Sequence, residues 1–470
     1  MSQPVTATVR MYRLHELGDC FLLTFKSGTS TSQMLIDCGS FRNGTASVAR
    51  LETIVESLRD ELDGAGLDVV VGTHQHNDHL SGFAHCTPAF QTIGVEQVWL
   101  SWLDDPNDAL ARSIATAHKN LLSSLANARD VLTSLRGSSP VRTRTLEVMN
   151  DVLGFFGAKQ AGVPPRLPAA AVEKLQQLGR RRPTYLQPGS SVDVPGLPSG
   201  VARVHVLGPP REQALLRRTA PQAGESYDHA LASAGVMARR FLDAVVGSGR
   251  KNRDAEHYPF NDVCKRSSPS KGARALREVV RRYRHPDEAW RSIDDDWMQL
   301  GEQLALYLDS FTNNSSVALA IELVDSGKVL LFVGDAQTGN WRSWHDLQWA
   351  RSDVATVDLL ARTVFYKVGH HASHNATHLP SFEAMTNPDL VAFIPVHKSD
   401  ANITRENGWK MPATNLFARV VEKTQGRVLQ MDDVNPPDCD PGKNPAKAAW
   451  RRAGITPRVT DLAIEVDIIG

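Results

Sequence analysis

The sequence contains few cysteines and no long apolar run. Its five cysteines are scattered and form no Cys-x-x-Cys pair. This argues against a disulfide framework or a thiolate zinc site and fits a reduced, cytoplasmic chain. A membrane-spanning helix needs about 18 uninterrupted apolar residues, and no stretch of the sequence is that long. The first residues also lack the apolar segment of a secretory signal. We therefore expect no association with a membrane.

An excess of charge of either sign is also absent. Lys plus Arg and Asp plus Glu number 52 each, which excludes a globally basic nucleic-acid-binding protein but allows a local basic patch. Of the 470 residues, 41% are apolar and 22% are charged, an ordinary globular composition. A chain of this length accommodates one large elaborated domain or two domains.

Hydrophobic periodicity predicts a β-rich beginning and a helical middle. In residues 1–103 it predicts one helix, Ala46–Glu61, and strands at Val5–Leu14, Phe21–Lys26, Gln33–Ile36, Leu67–Val71 and Val95–Leu100. In residues 104–300 it predicts helices at Ala109–Leu135, Arg144–Phe156, Ala169–Leu178, Asp228–Val246 and Ala273–Arg284. A strand at Val201–Leu207 interrupts these helices, and we expect it to return to the main sheet.

The β pattern resumes in residues 301–470. The predicted strands are Ser316–Val324, Val329–Val333, Thr363–Val368, Leu390–Pro395, Arg427–Met431 and Asp461–Ile469, with a helix at Asn415–Thr424. Strands that alternate with helices at both ends indicate an α/β fold. We interpret residues 1–103 and 301–470 as its two halves and residues 104–300 as a mostly helical insertion.

The strongest local signal is the segment Thr73–His79, which has the sequence THQHNDH and includes Asp78. On an extended or turning segment alternate side chains share a face, so His74 and His76 should lie together. Imidazole and carboxylate are groups that zinc binds. With 16 histidines in the chain, this pattern should arise by chance in about one comparable sequence in a thousand. The alternative is a solvated, histidine-rich turn.

Three other predicted strands end on metal-binding residue types. One strand ends at Asp37, one is followed by Gly334-Asp335, and one is followed by His370-His371-Ala372-Ser373. An α/β sheet builds its site from the carboxyl ends of its strands, along one edge. The sequence therefore predicts that these residues meet the first histidine cluster.

Together these motifs resemble the metallo-β-lactamase-fold hydrolases. The resemblance is strongest to the ComEC-type domain of DNA-uptake competence proteins, without its membrane part. The matching segments are Asp37, His74-x-His76-x-Asp78-His79, Gly334-Asp335, His370-His371-x-Ser373, Gly18-Asp19-Cys20-Phe21 and Asn313-Asn314-Ser315-Ser316. The resemblance covers residues 8–100 and about 200–468, so most of the insertion lies outside it.

The resemblance implies a four-layer αββα sandwich with one or two metal ions at its upper edge. His74 and His76 would bind the first ion, and Asp78 and His79 the second. Asp335 would bridge the two ions. The last ligand would come from the HHAS segment, where register favours His371 over His370. Asp37 would orient the histidine loop from behind the metal ligands. Zinc is the default ion for these ligands, and manganese is a second option.

Two features depart from the family pattern. Many members have a further histidine between the first cluster and the bridging aspartate, and no motif identifies it here. The candidates are His118, His205, His229, His257 and His285, of which we interpret His205 as a packed strand residue. In the second departure, Met411 precedes Pro412 where the competence branch carries a His-Pro pair. Lys398 is a candidate replacement substrate contact, with an ordinary surface lysine as the alternative, and Ser373 would add a hydrogen bond to substrate.

The predicted chemistry is hydrolysis by a metal-bound hydroxide, in which Asp78 or Asp335 orients the hydroxide. We expect a nuclease or phosphodiesterase, partly from the resemblance and partly from charge. Residues 265–284 contain eight Lys or Arg, Arg281 and Arg282 among them, against one acid. Such clusters attract phosphate backbones, although a solvated helix face explains them equally well. Two alternatives remain: a hydrolase of a cyclic nucleotide, lactone or other ester with the insertion as a lid, and a metal-containing protein that binds a partner through its insertion without turnover.

Overall fold

The computed structural model describes most of both ends of the chain and part of its middle. The described residues are 4–134, 140–158, 160–218, 225, 277–278, 281–282, 285, 299–351, 353–406, 408–433 and 445–470. The predicted helix Asp228–Val246 lies outside them, as does most of Ala273–Arg284 and of the basic cluster. Within these ranges no helix is both long enough and apolar enough to cross a bilayer.

Fifteen strands form two mixed sheets in the described residues. They are β1 Thr6–Tyr12, β2 Cys20–Ser27, β3 Ser30–Cys38, β4 Leu67–Val71, β5 Val95–Ser101, β6 Thr184–Leu186, β7 Ser191–Asp193, β8 Ala202–Gly208, β9 Ala318–Leu323, β10 Lys328–Phe332, β11 Thr363–Lys367, β12 Val391–Ile394, β13 Val428–Gln430, β14 Arg458–Val459 and β15 Ala463–Ile469. The first sheet has the order β14-β15-β1-β2-β3-β4-β5-β6, and the second has the order β13-β12-β11-β10-β9-β8-β7. The prediction of an α/β fold is therefore confirmed.

The helices connect these strands. They are α1 Thr45–Leu62, α2 Asn77–His85, α3 Thr87–Ile93, α4 Ala109–Ser134, α5 Pro140–Phe155, α6 Leu167–Leu178, α7 Gln213–Leu216, α8 Gln299–Asn314, α9 Thr338–Ser343, α10 Thr356–Ala361, α11 Leu379–Glu383, α12 Ala401–Thr404, α13 Thr414–Lys423 and α14 Pro445–Arg452. Short 3₁₀ turns occur at Trp102–Asp104, Trp344–Asp346 and His370–Ala372.

Both sheets contribute to one hydrophobic cluster. Phe21 of β2 and Phe332 of β10 come from different sheets, and their ring centroids lie 5.7 Å apart. Because successive side chains of a strand point to opposite faces, Leu331 belongs instead to a second cluster, where it is buried with Leu308 of α8 and Trp341 of α9. Both faces of β10 are therefore buried, as the continuous apolar run of this strand indicates.

The parallel part of each sheet positions the carboxyl ends of its strands side by side. In the first sheet β3, β4, β5 and β6 run parallel, and in the second β10, β11, β12 and β13 do so. A backbone hydrogen bond of 2.9 Å from Val317 to the carbonyl of Thr73 joins the two sheets where β4 ends and β9 begins. The residues after β4, β10 and β11 therefore come together.

The insertion is less purely helical than predicted. The predicted strand at Val201–Leu207 corresponds to β8, which lies in the second sheet between β7 and β9. Two further strands, β6 and β7, also fall between residues 104 and 300, one in each sheet. Each is only three residues long, too short for a period-two pattern to stand out, and each forms by pairing with a longer neighbour. The segment boundaries at 103 and 300 stay a prediction.

Candidate metal centre

Four side chains converge where the strand ends meet. Asp78, His79, Asp335 and His371 each offer a ligand atom, and these atoms lie within 4.8 Å of one another. His371 Nε2 is 3.0 Å from Asp78 Oδ2, and His79 Nε2 is 3.2 Å from Asp335 Oδ2. None of the four residues is more than 1% exposed. The structure thus brings together residues from positions hundreds apart in the chain.

Polar atoms without a hydrogen-bond partner lie within this cluster and are suited to bind a cation. Among the described residues, the buried atoms Asp78 Oδ1 and His79 Nε2 have no hydrogen-bond partner. A buried polar atom without a partner is costly, about 1–3 kcal/mol, so native proteins keep few of them. A divalent cation binds the lone pairs of both carboxylate oxygen and imidazole nitrogen. The donor set therefore fits a metal ion.

Outward hydrogen bonds aim two of the histidines into the cluster. His79 Nδ1 lies 2.7 Å from Asp37 Oδ2, and His371 Nδ1 lies 2.6 Å from the carbonyl oxygen of Pro395. Carboxylate and carbonyl oxygens only accept hydrogen bonds, so both rings carry the proton on Nδ1. Each Nε2 therefore presents either a lone pair or a second proton to the cluster. A ring that donates its outward N–H to a carboxylate or carbonyl oxygen is typical of metal-binding histidines.

Asp37 also holds the segment that precedes the histidines. It accepts hydrogen bonds from the backbone N–H of Thr73 at 2.8 Å and from the Thr73 hydroxyl at 2.7 Å. Its own φ of 56° is in the left-handed region, where Asp and Asn are tolerated better than most residues. The predicted orienting role of Asp37 is consistent with these contacts.

Close backbone approach explains two glycines at this edge. At Gly334, whose φ is 52°, a Cβ would lie 2.8 Å from the Cβ of Ser316 and 3.1 Å from that of Thr73. At Gly39, a Cβ would lie 2.4 Å from the backbone nitrogen of His79. Larger residues would separate the strand ends from each other and from α2, so glycine at these positions permits the close arrangement.

His74 and His76 face each other beside the four-residue cluster. His74 Nε2 is 3.2 Å from His76 Nδ1, and His74 Nδ1 is 3.1 Å from the hydroxyl oxygens of Thr73 and Ser316. Burial lowers the pKa of His74 well below its usual value and lowers the pKa of His76 to about 3. Both imidazoles are therefore neutral at pH 7 and have a lone pair to offer a cation.

On the other side of the site, His79 and His371 have raised pKa values, in contrast to His74 and His76. Burial alone would lower the pKa of His79, but Asp335, Asp19 and Asp37 outweigh it and raise that pKa well above the usual value. Burial likewise opposes a charged His371, whose pKa is nevertheless raised by its hydrogen bond to Asp78. A cation that binds these carboxylates and histidines would displace protons from the rings.

The helix α2 sets the positions of the second pair of predicted ligands. Sequence reasoning placed the whole histidine segment on an extended or turning stretch, but the helix begins at Asn77, with His76 as its N-cap. Asp78 therefore lies in the first helical turn, where a carboxylate is stabilised by the helix dipole. Asn77 anchors this turn by donating to the carbonyl oxygens of Ser40 and Phe41.

Two residues at the site were missed by sequence reasoning. Lys367, at the end of β11, is buried and forms ion pairs with Asp19 and with Asp335, the latter at 3.2 Å. These two carboxylates raise the pKa of Lys367 despite its burial. Asp309 of α8 lies 3.9 Å from His76 Nε2, and burial together with Asp78 and Asp335 raises its pKa to about 8. A lysine inside an apolar strand is the signal that could have identified Lys367, whereas no local pattern indicates Asp309.

Several predicted residues are not members of the four-residue cluster. His370 turns away: its Nδ1 lies 2.7 Å from the hydroxyl of Ser373, so this serine is engaged with a protein partner. Lys398 is about half exposed and pairs with Asp433 at 3.3 Å. Arg281 pairs with Glu278 at 2.7 Å on an exposed surface. Arg282 is also exposed.

The interval that should contain a further histidine supplies no ligand in its described part. Nε2 of His118 lies 3.0 Å from the hydroxyl of Thr312. His205 lies between Ser191, at 2.8 Å, and Glu322, at 2.9 Å, which agrees with its interpretation as a packed strand residue. Glu322 also accepts a hydrogen bond of 2.7 Å from Arg362. His229 and His257 lie outside the described residues.

The insertion covers one side of the site with aromatic rings. At the end of α5, the rings of Phe155 and Phe156 lie 5.1 and 4.9 Å from that of His76, centroid to centroid. Trp409 stacks on Phe155 at 5.3 Å. Both phenylalanines are buried, so, among the described residues, the end of α5 covers the ring of His76.

Comparison with known proteins adds no assignment. No family model matches the chain, and no curated protein is significantly similar to it.

Proposed function

We propose that this protein is a metal-dependent hydrolase with the four-layer αββα fold of the metallo-β-lactamase type. The shared hydrophobic cluster between the two sheets supports the inner two layers. Helices such as α1, through Leu51 and Leu58, and α8, through Leu304 and Leu308, pack against the remaining sheet surfaces and support the outer two. The observation that carries the function is the buried His–Asp cluster, in which Asp78 Oδ1 and His79 Nε2 have no hydrogen-bond partner among the described residues.

We assign the ligands as the strand ends suggest. The residues that would hold one or two ions are His74, His76, Asp78, His79, Asp335 and His371. A nitrogen–oxygen donor set makes Zn²⁺ the expected ion, with Mn²⁺ as the second option. When bound, such a cation would lower the pKa of water towards neutrality and polarise a scissile bond.

The chain's own carboxylates divide the remaining work. Asp335 Oδ1 is occupied, because it accepts hydrogen bonds from Lys367 at 3.2 Å and from the backbone N–H of His370 at 2.7 Å. Asp78 Oδ1 has no hydrogen-bond partner among the described residues. Asp78 is therefore the better placed group to accept a proton from an attacking water, and Asp335 is the better held structural ligand.

A small ester or phosphodiester is the substrate class that the described geometry favours. The ligand residues are buried, and two rings from the insertion lie over His76. An enclosed, partly aromatic site suits a small molecule, whereas a polynucleotide needs an open cationic channel. Nucleic acid is the second candidate, because residues 265–284 carry eight Lys or Arg.

A hydrolysis panel tests both candidates. Purified protein loaded with Zn²⁺ or Mn²⁺ should cleave a small phosphodiester, a cyclic nucleotide, a lactone or a thioester, and chelator should abolish the activity. His371→Ala should also abolish the activity, since it removes one ligand. The matched control is His85→Ala, which removes a histidine at the far end of α2 and should retain activity.

The contrary results are equally definite. Cleavage that survives both chelator and His371→Ala would refute the metallohydrolase proposal. Bound metal without turnover on any substrate of the panel, nucleic acid included, would instead favour a protein that uses its insertion to bind a partner. Chelator-sensitive cleavage of single-stranded DNA or RNA, without cleavage of small substrates, would select the nuclease.

A further inference from the structure

The ring of His76 is oriented differently from the other histidines at the site. His79 and His371 turn Nδ1 outward to an oxygen acceptor and Nε2 inward. His74 follows the same pattern, with Nδ1 beside two hydroxyl groups. In His76 the pattern is reversed, because Nδ1 faces His74 Nε2 at 3.2 Å.

This orientation determines where the His76 proton must lie when a cation is bound. Two nitrogens bound to one tetrahedral cation at about 2.0–2.1 Å are roughly 3.3 Å apart, close to the separation of 3.2 Å between His74 Nε2 and His76 Nδ1. If Nδ1 of His76 gives its lone pair to the cation, a neutral ring carries its proton on Nε2. That buried N–H then needs an acceptor.

The structure contains one acceptor in the right place. In the part of the chain that is described, His76 Nε2 has no hydrogen-bond partner, and neither has Asp309 Oδ1. The two atoms are 3.9 Å apart. The other carboxylate oxygen of Asp309 accepts a hydrogen bond of 3.2 Å from Asn313, one turn later on α8, which holds the carboxylate towards the site.

We propose that Asp309 is a positioning residue that accepts a hydrogen bond from Nε2–H of His76 and thereby orients His76 towards a cation. The proposal rests on the function proposed above. The two atoms need to approach by about 1 Å to reach the distance of an N–H···O hydrogen bond, which either the ionised carboxylate or the carbonyl oxygen of the protonated acid can accept. Carboxylates behind metal-binding histidines fix the tautomer and the ring orientation and raise ligand basicity. Asp309 would do for His76 what Asp37 does for His79.

Metal titration of two Asp309 variants tests this role. Asp309→Ala removes the acceptor and should weaken binding of one cation about 10–100-fold, measured by competition with a chromophoric zinc chelator and by the visible spectrum of the Co²⁺-loaded protein. Asp309→Asn keeps an acceptor oxygen for His76, and Asn313, whose Oδ1 has no hydrogen-bond partner among the described residues, can turn its amide to accept from the new N–H, so this variant should retain most of the affinity. Glu302→Ala is the matched control, because it removes a carboxylate from the same helix that pairs with Arg144, and it should leave affinity unchanged.

A measurement on the unaltered protein covers the case in which Asp309→Ala does not fold. Long-range ¹H–¹⁵N spectra of the zinc-loaded protein should show His76 bound through Nδ1 and protonated on Nε2. Binding through Nε2 would overturn the proposal, and so would an Asp309→Ala variant with unchanged metal affinity. An Asn variant as weak as the Ala variant would also overturn it, because a hydrogen-bond acceptor at this position would then not be sufficient for metal affinity.

These outcomes separate the two proposals. Normal metal binding by both the unaltered protein and Asp309→Ala refutes the role of Asp309 alone. An unaltered protein that binds neither Zn²⁺ nor Co²⁺ refutes the metal centre, and the role of Asp309 with it.

Discussion

Replacement of Asp37 by asparagine should uncouple metal binding from folding. The two side chains have nearly the same shape, and asparagine tolerates the left-handed backbone of this position, where φ is 56°. The amide oxygen can still accept the 2.8 Å hydrogen bond from the Thr73 backbone N–H. The amide nitrogen, however, would then face His79 Nδ1, which lies 2.7 Å from Asp37 Oδ2.

The expected effect follows from the tautomer of His79. An N–H of asparagine that points at Nδ1 favours the ring with its proton on Nε2, which is the atom that faces Asp335 at 3.2 Å. The lone pair that a cation needs is then lost. Losing the group behind a metal-binding histidine costs about 10–100-fold in affinity, or about 1.4–2.7 kcal/mol at 1.36 kcal/mol per tenfold change.

Metal affinity and stability must be measured together. We expect Asp37→Asn to weaken Zn²⁺ binding by this amount in a chelator competition, while urea denaturation of the metal-free protein shows a loss of at most about 2 kcal/mol, the cost of one or two altered buried hydrogen bonds. Asp68→Asn is the matched control: this carboxylate also accepts a backbone N–H, from Gln33 at 2.8 Å, but lies at the opposite end of the sheet. Wild-type affinity in Asp37→Asn would refute the reasoning.

Three further predictions concern the ring above His76, the buried lysine at the site and an ion pair at the far end of β9. Phe156→Ala removes a buried ring above His76 and should cost about 3–5 kcal/mol of stability while raising hydrolysis of bulky relative to small substrates; an unchanged substrate ratio would contradict the lid. Lys367→Ala leaves Asp19 and Asp335 without their buried cation and should destabilise metal-free protein by about 3–5 kcal/mol in urea denaturation, with a smaller loss in Zn²⁺; equal losses would argue against metal near Asp335. Glu322 has its pKa lowered to about 2 by its histidine and arginine partners, so its stabilising contribution is complete above its unfolded pKa of about 4.5 and is lost as pH falls towards 2. Between pH 6 and pH 3, Glu322→Gln should therefore lose about 1–2 kcal/mol less stability than the unaltered protein, a difference scaled down for partial exposure; identical pH profiles would contradict this.

Much of the secondary structure could be predicted from local patterns. The run Leu67–Val71 was predicted as a strand with the bounds that β4 has, because five consecutive residues with three valines favour an extended, buried conformation. Helix α1 was also predicted, since its buried residues Leu51, Ile54, Val55, Leu58 and Leu62 recur at helical spacing. These signals depend only on near neighbours, so they survive without knowledge of the fold.

The helices at the site were harder to predict. Helix α2 contains buried polar residues such as Asn77, Asp78 and Ser81, so it lacks the apolar stripe that identifies a helix. Helix α8, which carries Asp309, lies at the boundary at which the insertion was expected to end. Its buried face packs against α5 and the second sheet, and its polar end faces the site, so its role depends on contacts distant in sequence.

The sequence by itself determined which residue types arrive at the ends of the strands. His74, His76, Asp78 and His79 follow one apolar run, and Asp335 and His371 follow two others, because strand and turn preferences are local. Only the tertiary structure decided how these residues are used. It placed His371 Nε2 beside Asp78, set Lys367 between two carboxylates, and brought Asp309 from a distant helix to within 3.9 Å of His76. Ring orientation, ion pairing and burial result from packing between segments far apart in the chain, and no local pattern encodes them.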